Sequence, residues 1–423
     1  MGGVLSLIGI AVLVLSLLSA AVWVYVNYAG GRGRSLDYRL DPDAPERPPN
    51  VADGQAWPTV AIVAPGRNEA AHLPDVLPRL CEQDYPTGRY RVVFVDDAST
   101  DTTPAITAAM GERFKHLTVV RNEDAPPAGW MGKCWAVSRG VAELDEQNAA
   151  QPAAQDQAAE WVCFTDADIL WDPRLLRAAL AYALEHDADL LGVTPTLLFG
   201  SASEAVVQLQ LVLALGCVLP FEKAMDPETP WALTGGAFIL VRKHFYDEIG
   251  GHEAVKGEMV EDLKLGMALK AAGARHRVAI AGELQECRMY DGWNDMWEGL
   301  TKNAYAGLNH RWWNALAVIA AVWLLNILPL VYVVFAVVWM FAAPGWMPLL
   351  TAVLAAAAVL WQARALNTSR KLMRLPARYA WTMVPGAAAY TAIIAASAWR
   401  YHRGGNLWAG RRYGPGGLSD GNK

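Results

Sequence analysis

From Val4 to Val26 the chain reads VLSLIGIAVLVLSLLSAAVWVYV, with no charged residue. A run longer than the ~20 residues that cross a bilayer core has few stable homes other than a membrane-spanning helix. No Lys or Arg precedes it and Arg32, Arg34 and Arg39 follow it, so it reads as a retained signal anchor with its C-terminal end in the cytoplasm. Three more apolar runs close the chain, Trp312 to Phe341, Trp346 to Trp361 and Tyr379 to Trp399, with Trp or Tyr near their borders as in interfacial belts. One N-terminal and about three C-terminal transmembrane or re-entrant helices are expected. These ends explain a charged fraction of only 18%, where soluble domains carry roughly 25%.

The basic residues mark topology. Arg364, Arg370, Lys371, Arg374 and Arg378 read as a short basic loop on the cytoplasmic side, in agreement with Lys302 and Arg311. Arg400, Arg403, Arg411 and Arg412 would lie outside if Tyr379 to Trp399 crossed fully; Pro385 and Gly386 interrupt that run, so a re-entrant course is the alternative. A net charge of −6 without a basic stripe argues against nucleic acid as a partner. The five cysteines are scattered without a C-x-x-C pair, which indicates neither a disulfide frame nor a zinc knuckle. The resulting division is an anchor at 1–29, a Pro/Gly-rich linker at 30–58, a soluble domain at 59–310, membrane helices at 311–400 and a basic tail at 401–423.

Within the soluble part, Thr59 to Pro65 and Tyr90 to Asp97 are near-continuous apolar runs bounded by turn residues, the pattern of strands covered on both faces. Leu73, Leu77 and Leu80 give helical spacing between them. The alternation continues with a helix over Thr103 to Phe114, a strand at Leu117 to Val120, a helix over Lys133 to Leu144 and the strand WVCFTDAD at Trp161 to Asp168. An α/β fold with a mainly parallel sheet follows, with ligands beyond the carboxyl ends of the strands. Asn148 to Glu160, heavy in Ala and Gln, reads as a surface insertion.

Three polar clusters follow predicted strands: Pro65-Gly66-Arg67-Asn68-Glu69, Asp96-Asp97-Ala98-Ser99-Thr100-Asp101 and Asp166-Ala167-Asp168. A single aspartate there is most often a helix cap, but three clusters on one rim point to a ligand. Alternation along a strand puts Asp166 and Asp168 on one side. Two such carboxylates repel unless a cation joins them, and Mg²⁺ or Mn²⁺ suits them together with phosphate oxygens. No Walker A sequence is present and no G-x-G-x-x-G follows a strand, so Lys133, beside Gly129 and Gly132 ahead of a helix, is the candidate phosphate contact. Thr234-Gly235-Gly236 precedes another strand, where glycine lets backbone approach a ligand. Glu261 and Asp262 open a predicted helix, where they either complement its dipole or serve as a general base.

Together with TGG, EDLKLG and GWNDMWEGLTKN, these clusters resemble family 2 of the glycosyltransferases over about Thr59 to Asn309. GWMGKCWAV and FTDADI are most similar to membrane-bound hopene-associated glycosyltransferases, with carotenoid and ceramide glycosyltransferases as more distant relatives. The resemblance implies a GT-A (Rossmann-like) fold and a nucleotide-sugar donor whose uridine half is held by Pro65, Asn68, Glu69, Asp96 and Asp97. It further implies Asp166 at nucleotide or ribose, Asp168 on the divalent metal, and Asp262 of the Glu261-Asp262 pair as the base of an inverting displacement. Gly235 and Gly236 would line the donor site. The family's Q/R-x-x-R-W motif is missing, and Trp297-Glu298-Gly299-Leu300-Thr301-Lys302-Asn303 stands in its place, with Trp297 and Lys302 as the acceptor-side candidates. The tail Asn406 to Tyr413 is similar to relatives' tails, which can meet the diphosphate only from the cytoplasm.

Ala205 to Pro220 is almost wholly apolar yet short for a span, so it reads as a re-entrant or interfacial segment past which a lipid acceptor would enter, or as a buried core helix. The expectation is an inner-membrane enzyme, its catalytic domain facing the cytoplasm, that glycosylates a hopanoid, carotenoid or other polyprenyl-derived lipid. The alternatives are a processive polysaccharide synthase, which the missing motif and the few C-terminal spans disfavour, and a non-catalytic nucleotide-sugar-binding membrane protein, which the intact Asp166, Asp168 and Asp262 disfavour.

Overall fold

A computed structural model describes residues 2–32, 38–46, 56–150, 158–218 and 221–403, with three short strands in the tail. Its elements divide into two compact units.

One unit is α/β. Its fully apolar runs become β1 (Val60–Gly66) and β2 (Tyr90–Asp97), which with β3 (Leu117–Asn122) and β4 (Trp161–Phe164) form the parallel part of a seven-stranded sheet. The other strands are β6 (Leu190–Thr194), β8 (Ile239–Arg242) and β9 (His276–Ile280), in the order β3-β2-β1-β4-β8-β6-β9. Only β8 runs antiparallel to its neighbours. A second sheet joins β5 (Ile169–Trp171), β10 (Gln285–Cys287) and β7 (Thr196–Leu197) in the order β5-β10-β7. The helices of this unit are α2 (Leu73–Cys81), α3 (Thr103–Arg113), α4 (Gly132–Ala150), α5 (Leu175–Glu185), α7 (Phe221–Met225), α8 (Lys243–Glu248) and α9 (Glu261–Ala271). Two large apolar clusters lie in it. One centres on Leu73, Leu77, Phe94 and Trp171, the other on Val63, Val95, Val137 and Val241.

Three expectations change here. The strand ends at Phe164, so Asp166 and Asp168 lie on the turn between β4 and β5, and strand alternation does not set their direction. The linker is partly built in: Leu40 N–H donates to Ile280 O on β9 at 3.1 Å, and Leu40, Ala44 and Trp57 join the core. Asn148 closes α4 and accepts from Arg91 at 2.8 Å, while 151–157 of the expected insertion lie outside the described residues.

The other unit holds the apolar helices α1 (Gly2–Arg32), α6 (Ala202–Val218) and α10 (Gly292–Gly307) through α14. α11 (Trp312–Val322), a π-turn at Trp323–Ile327 and α12 (Leu328–Ala342) form one continuous rod, followed by α13 (Trp346–Leu372) and α14 (Met383–His402). Among the described residues, Leu7–Tyr28, Trp312–Ala342 and Trp346–Leu372 are long and apolar enough to cross a membrane. The third C-terminal run is helical as α14 but does not reach that apolar character. Pro385 does not break it, because it stands in the first turn, where the missing N–H has no intrahelical partner to lose. The expected basic loop is mostly helix as well: Arg364, Arg370 and Lys371 belong to α13.

The π-turn has a local cause. Pro329 cannot donate to the carbonyl four residues back, and that carbonyl, Leu325 O, instead accepts the Trp23 indole N–H from α1 at 2.9 Å. The turn also buries Asn326, whose Oδ1 accepts from Gln362 Nε2 at 2.6 Å and Gln210 Nε2 at 3.3 Å. α6 is thereby tied into the membrane helices, and it also packs on α13 and α14.

Gly192 on β6 has no room for a side chain, since a Cβ would lie 2.4 Å from Leu233 O. Gly192→Ala is expected to lower the thermal midpoint of the detergent-solubilised chain by an overpacking cost of about 1–3 kcal/mol. Gly216→Ala, with open space around it, is expected to leave the midpoint unchanged or slightly higher.

Candidate active site

Parallel register carries the polar clusters to one rim. Gly66 pairs with Asp96 across β1 and β2, and Val63 with Phe164 across β1 and β4, so the segments after β1, β2 and β4 emerge side by side. The first two interlock. Asn68, held at φ 59°, accepts Thr100 N–H on Oδ1 at 2.8 Å and donates its own N–H to Ser99 Oγ at 2.8 Å. Arg67 clamps Asp97 O at 2.8 Å, Glu69 N–H donates to Thr103 Oγ1 at 2.9 Å, and Ser99 N–H donates to Asp96 Oδ1 at 3.0 Å. Asp96 is buried, and its Oδ2 has no hydrogen bond; Arg121 Nε stands 3.7 Å away. A buried carboxylate oxygen of this kind is expensive unless a donor meets it. Ring N–H or ribose hydroxyl groups are such donors.

The second cluster centres on Lys133, near the start of α4. Its Nζ lies 2.6 Å from Asp166 Oδ1 and 2.8 Å from Glu261 Oε1. Burial pulls the ammonium down, but Asp166, Glu261 and Asp262 more than offset it and hold Lys133 well above its ordinary value. Gly236 stands against this pair: a Cβ there would sit 2.4 Å from Asp166 Oδ2 and 2.6 Å from Lys133 Nζ and would displace the ends of both side chains. Its backbone N–H donates to Asp262 Oδ2 at 2.9 Å, while Asp262 Oδ1 accepts Leu263 N–H at 2.8 Å. Burial and the adjacent Glu261 push Asp262 up to about 6, Lys133 opposing them. Gly235 has open space around its α-carbon.

Asp168 is pushed up to about 7 by burial, then by Asp166 and Glu69. Such an excess of negative charge fits a divalent cation. Among the described residues no group of three or more His, Cys, Asp or Glu side chains is placed to hold an ion. Mg²⁺ or Mn²⁺ needs only one or two protein carboxylates when phosphate and water complete its shell, and Asp168 with Asp166 fits that role.

Pro65 lines a small cavity together with Lys133, Thr165, Gly236, Glu261 and Asp262. Trp297 and Lys302 are carried by α10, an element of the other unit. Three supporting residues escape a sequence reading. His252 lines the same cavity, and its Nδ1 meets the Tyr246 hydroxyl at 2.8 Å. Lys270 donates to Ala224 O and Trp231 O, both at 2.7 Å. His276 Nε2 accepts Leu233 N–H at 3.1 Å, and Thr234 Oγ1 donates to Asp262 O at 2.7 Å. These bonds fix the segment 231–236 that delivers Gly236. Only the Gly250-Gly251 pair ahead of His252, at φ 78° and 63°, signalled a special turn.

Residues 58–314 match the family described as Glycosyltransferase like family 2. The chain belongs to glycosyltransferase family 2. Among curated proteins it is 24% identical over 261 residues to a 4,4'-diaponeurosporenoate glycosyltransferase of Staphylococcus haemolyticus, covering 60% of this chain and 63% of that one. It is 36% identical over 98 residues to a beta-monoglucosyldiacylglycerol synthase of Synechocystis, covering 22% of this chain and 20% of that one. An N-acetylglucosaminyl-diphospho-decaprenol L-rhamnosyltransferase of Mycobacterium tuberculosis is 26% identical over 246 residues, 53% of this chain and 77% of that one. The chain thus spans a fifth of the Synechocystis relative and somewhat under two thirds of the staphylococcal one. Among solved structures, a mannosyltransferase from Pyrobaculum calidifontis in complex with GDP-Man and Mn²⁺ aligns with TM-score 0.50 and 18% identity over 94% of this chain and 98% of that one. That likeness is one of fold, GT-A, now seen to include a sheet that is mainly parallel with one reversed strand.

His252 and His276 bind a proton more weakly folded than unfolded: burial, then Lys133, takes His252 down to about 3, and burial takes His276 down to about 4. Stability from the neutral rings is therefore complete above the unfolded imidazole range and is lost as pH falls below about 6.5. The raised carboxyls of Asp168 and Asp262 act in the opposite sense in the same window, so the histidine contribution is read as a difference: between pH 7 and pH 5 the thermal midpoint of His276→Gln is expected to fall less, or rise more, than that of the wild type.

Proposed function

We propose that this family 2 member is a membrane-bound inverting glycosyltransferase that moves a sugar from a nucleotide donor, UDP-linked, to a lipid acceptor of hopanoid-related type. The observation that carries the reading is the convergence of Asp262, the Gly236 N–H and the Lys133 ammonium on one strand rim. Asp262 is oriented by two backbone N–H groups and retains lone pairs for a further proton. As the acceptor hydroxyl attacks the anomeric carbon, its proton passes to Asp262, and the bond from that carbon to the diphosphate breaks on the opposite side. Lys133 meets the negative charge that develops on the leaving diphosphate. Asp96, Asp97, Asn68 and Glu69 hold the nucleoside. A divalent cation held by Asp168, with Asp166, would add Lewis-acid stabilisation at the phosphates.

Lipid as the acceptor class is supported by the three candidate spans and by the names of the relatives, which include a 4,4'-diaponeurosporenoate glycosyltransferase, a beta-monoglucosyldiacylglycerol synthase and an N-acetylglucosaminyl-diphospho-decaprenol L-rhamnosyltransferase. The hopanoid detail rests on the resemblance of GWMGKCWAV and FTDADI alone. Positive residues follow α1, precede α11 and end α13, which supports a cytoplasmic α/β unit in a bacterial inner membrane. With α12 and α13 crossing out and back, the basic end of α13 returns to the cytoplasmic side.

Asp262→Asn is expected to cut label transfer from a radiolabelled nucleotide sugar into organic-extractable lipid by at least ~100-fold; unchanged turnover would remove Asp262 as the base. In the wild type, kcat/KM should fall about tenfold per pH unit below about 6, because only the ionised carboxylate accepts a proton. EDTA is expected to lower donor binding, with recovery on Mg²⁺ or Mn²⁺. Label in water-soluble polymer would point to a polysaccharide synthase.

A further inference from the structure

Helix α13 ends in a turn that keeps a cation where glycine is usual. Leu375 N–H returns to Arg370 O at 2.8 Å and Arg374 N–H to Lys371 O at 3.2 Å, which leaves Arg374 in the left-handed region at φ 54°. Most helices closed in this way have glycine at that position, because a Cβ there is strained. Arg370 serves the closure itself, its Nε donating to Asn367 Oδ1 and its Nη1 to Leu375 O, both at 2.9 Å. Lys371, Arg374 and Arg378, the last on a 3-10 helix at Ala377–Trp381, are exposed, and the closure makes no use of their charges.

These charges have no counter-ion nearby in the chain. Between Glu298 and Asp420 there is no Asp or Glu, and Glu298 is taken by Arg400. Among the described residues no ion pair reaches Lys371, Arg374 or Arg378. Cations this close in sequence repel one another unless an anion comes from outside.

The setting selects the anion. α13 is long and apolar enough to cross a membrane, so its basic end falls at head-group level. Leu372 and Trp381 stand exposed among the cations, at 51% and 62%, as side chains that face acyl chains and their interface do. A soluble anion would make no use of them. Orienting the chain in the membrane needs only positive charge near a span, which Arg364, Arg370, Lys371 and Arg378 supply without an arginine at the strained position.

We infer that the end of α13, through Lys371, Arg374 and Arg378, binds the phosphate head of an anionic phospholipid whose acyl chains meet Leu372 and Trp381. This lipid is a bound partner, distinct from the acceptor, and the inference does not depend on the transfer reaction.

The test is equilibrium binding to the full chain in dodecyl maltoside micelles at fixed detergent. The probe is phosphatidylglycerol with a fluorescent acyl chain; phosphatidylcholine with the same chains is the reference, and inorganic phosphate the competitor. The wild type should bind the glycerol lipid at least about tenfold more tightly than the choline lipid, with a preference that shrinks as NaCl rises. Inorganic phosphate at equal concentration should not displace it. Lys371→Gln, Arg374→Asn and Arg378→Gln combined should weaken binding roughly 100-fold, about fivefold for each cation lost; Asn suits the left-handed position, so the turn itself is kept. Lys371→Arg with Arg378→Lys should bind as the wild type does, which separates charge from misfolding. Equal binding of the two lipids, a preference insensitive to salt, or unchanged binding by the triple variant would overturn the inference. Displacement by inorganic phosphate would overturn it as well, in favour of a free-anion site. The salt series needs no variant and decides the matter even if the triple variant does not fold.

Discussion

The ammonium of Lys133 holds the site together. It joins α4 to the turn carrying Asp166 and to the start of α9 at Glu261, three segments far apart in sequence. Without that positive charge, Asp166, Glu261 and Asp262 would crowd one another with no counter-ion in a partly buried pocket, a cost no packing there offsets. The close approach depends in turn on Gly236 having no side chain. Each support of the 231–236 segment, from Lys270, His276 and Thr234, therefore bears on the charge arrangement at the rim.

The helical unit faces a different demand. Lipid would offer no partners to polar groups, so those in helices apolar enough to cross a membrane need partners within the protein, and some of them find one. The carbonyl freed by Pro329 takes the Trp23 indole, and the amides of Gln210 and Gln362 share Asn326 Oδ1. These contacts tie α6, an element too short to span, to helices that are long enough. The expectation that Ala205 to Pro220 is either an interfacial segment or a buried core helix follows from its composition; the amides that tie α6 to its neighbours are scattered over some 150 residues and give no joint signal.

Much of the α/β unit was legible because its signals are local. Apolar runs at β1, β2 and β3, the leucine spacing of α2, and an acidic pair opening α9 are read over windows of a few residues. The D-x-D is legible in the sequence but its geometry is not: alternation applies only while the strand lasts, and β4 stops two residues before Asp166. The short strands β7 and β10 carried too few residues to show a period. His252 was missed because a lone histidine after two glycines acquires meaning only when Tyr246 and the Lys133 pocket close around it.

By itself the sequence determined where a membrane can be crossed, where strands alternate with helices, and which carboxylates follow the strands, since hydrophobic period and turn chemistry act between near neighbours. The tertiary structure alone decided which carboxylates Lys133 joins, how closely Gly236 approaches them, and that β8 enters the sheet reversed. Each of these depends on residues tens to hundreds of positions apart meeting within hydrogen-bond or van der Waals distance, and only chain closure around a packed core sets such distances.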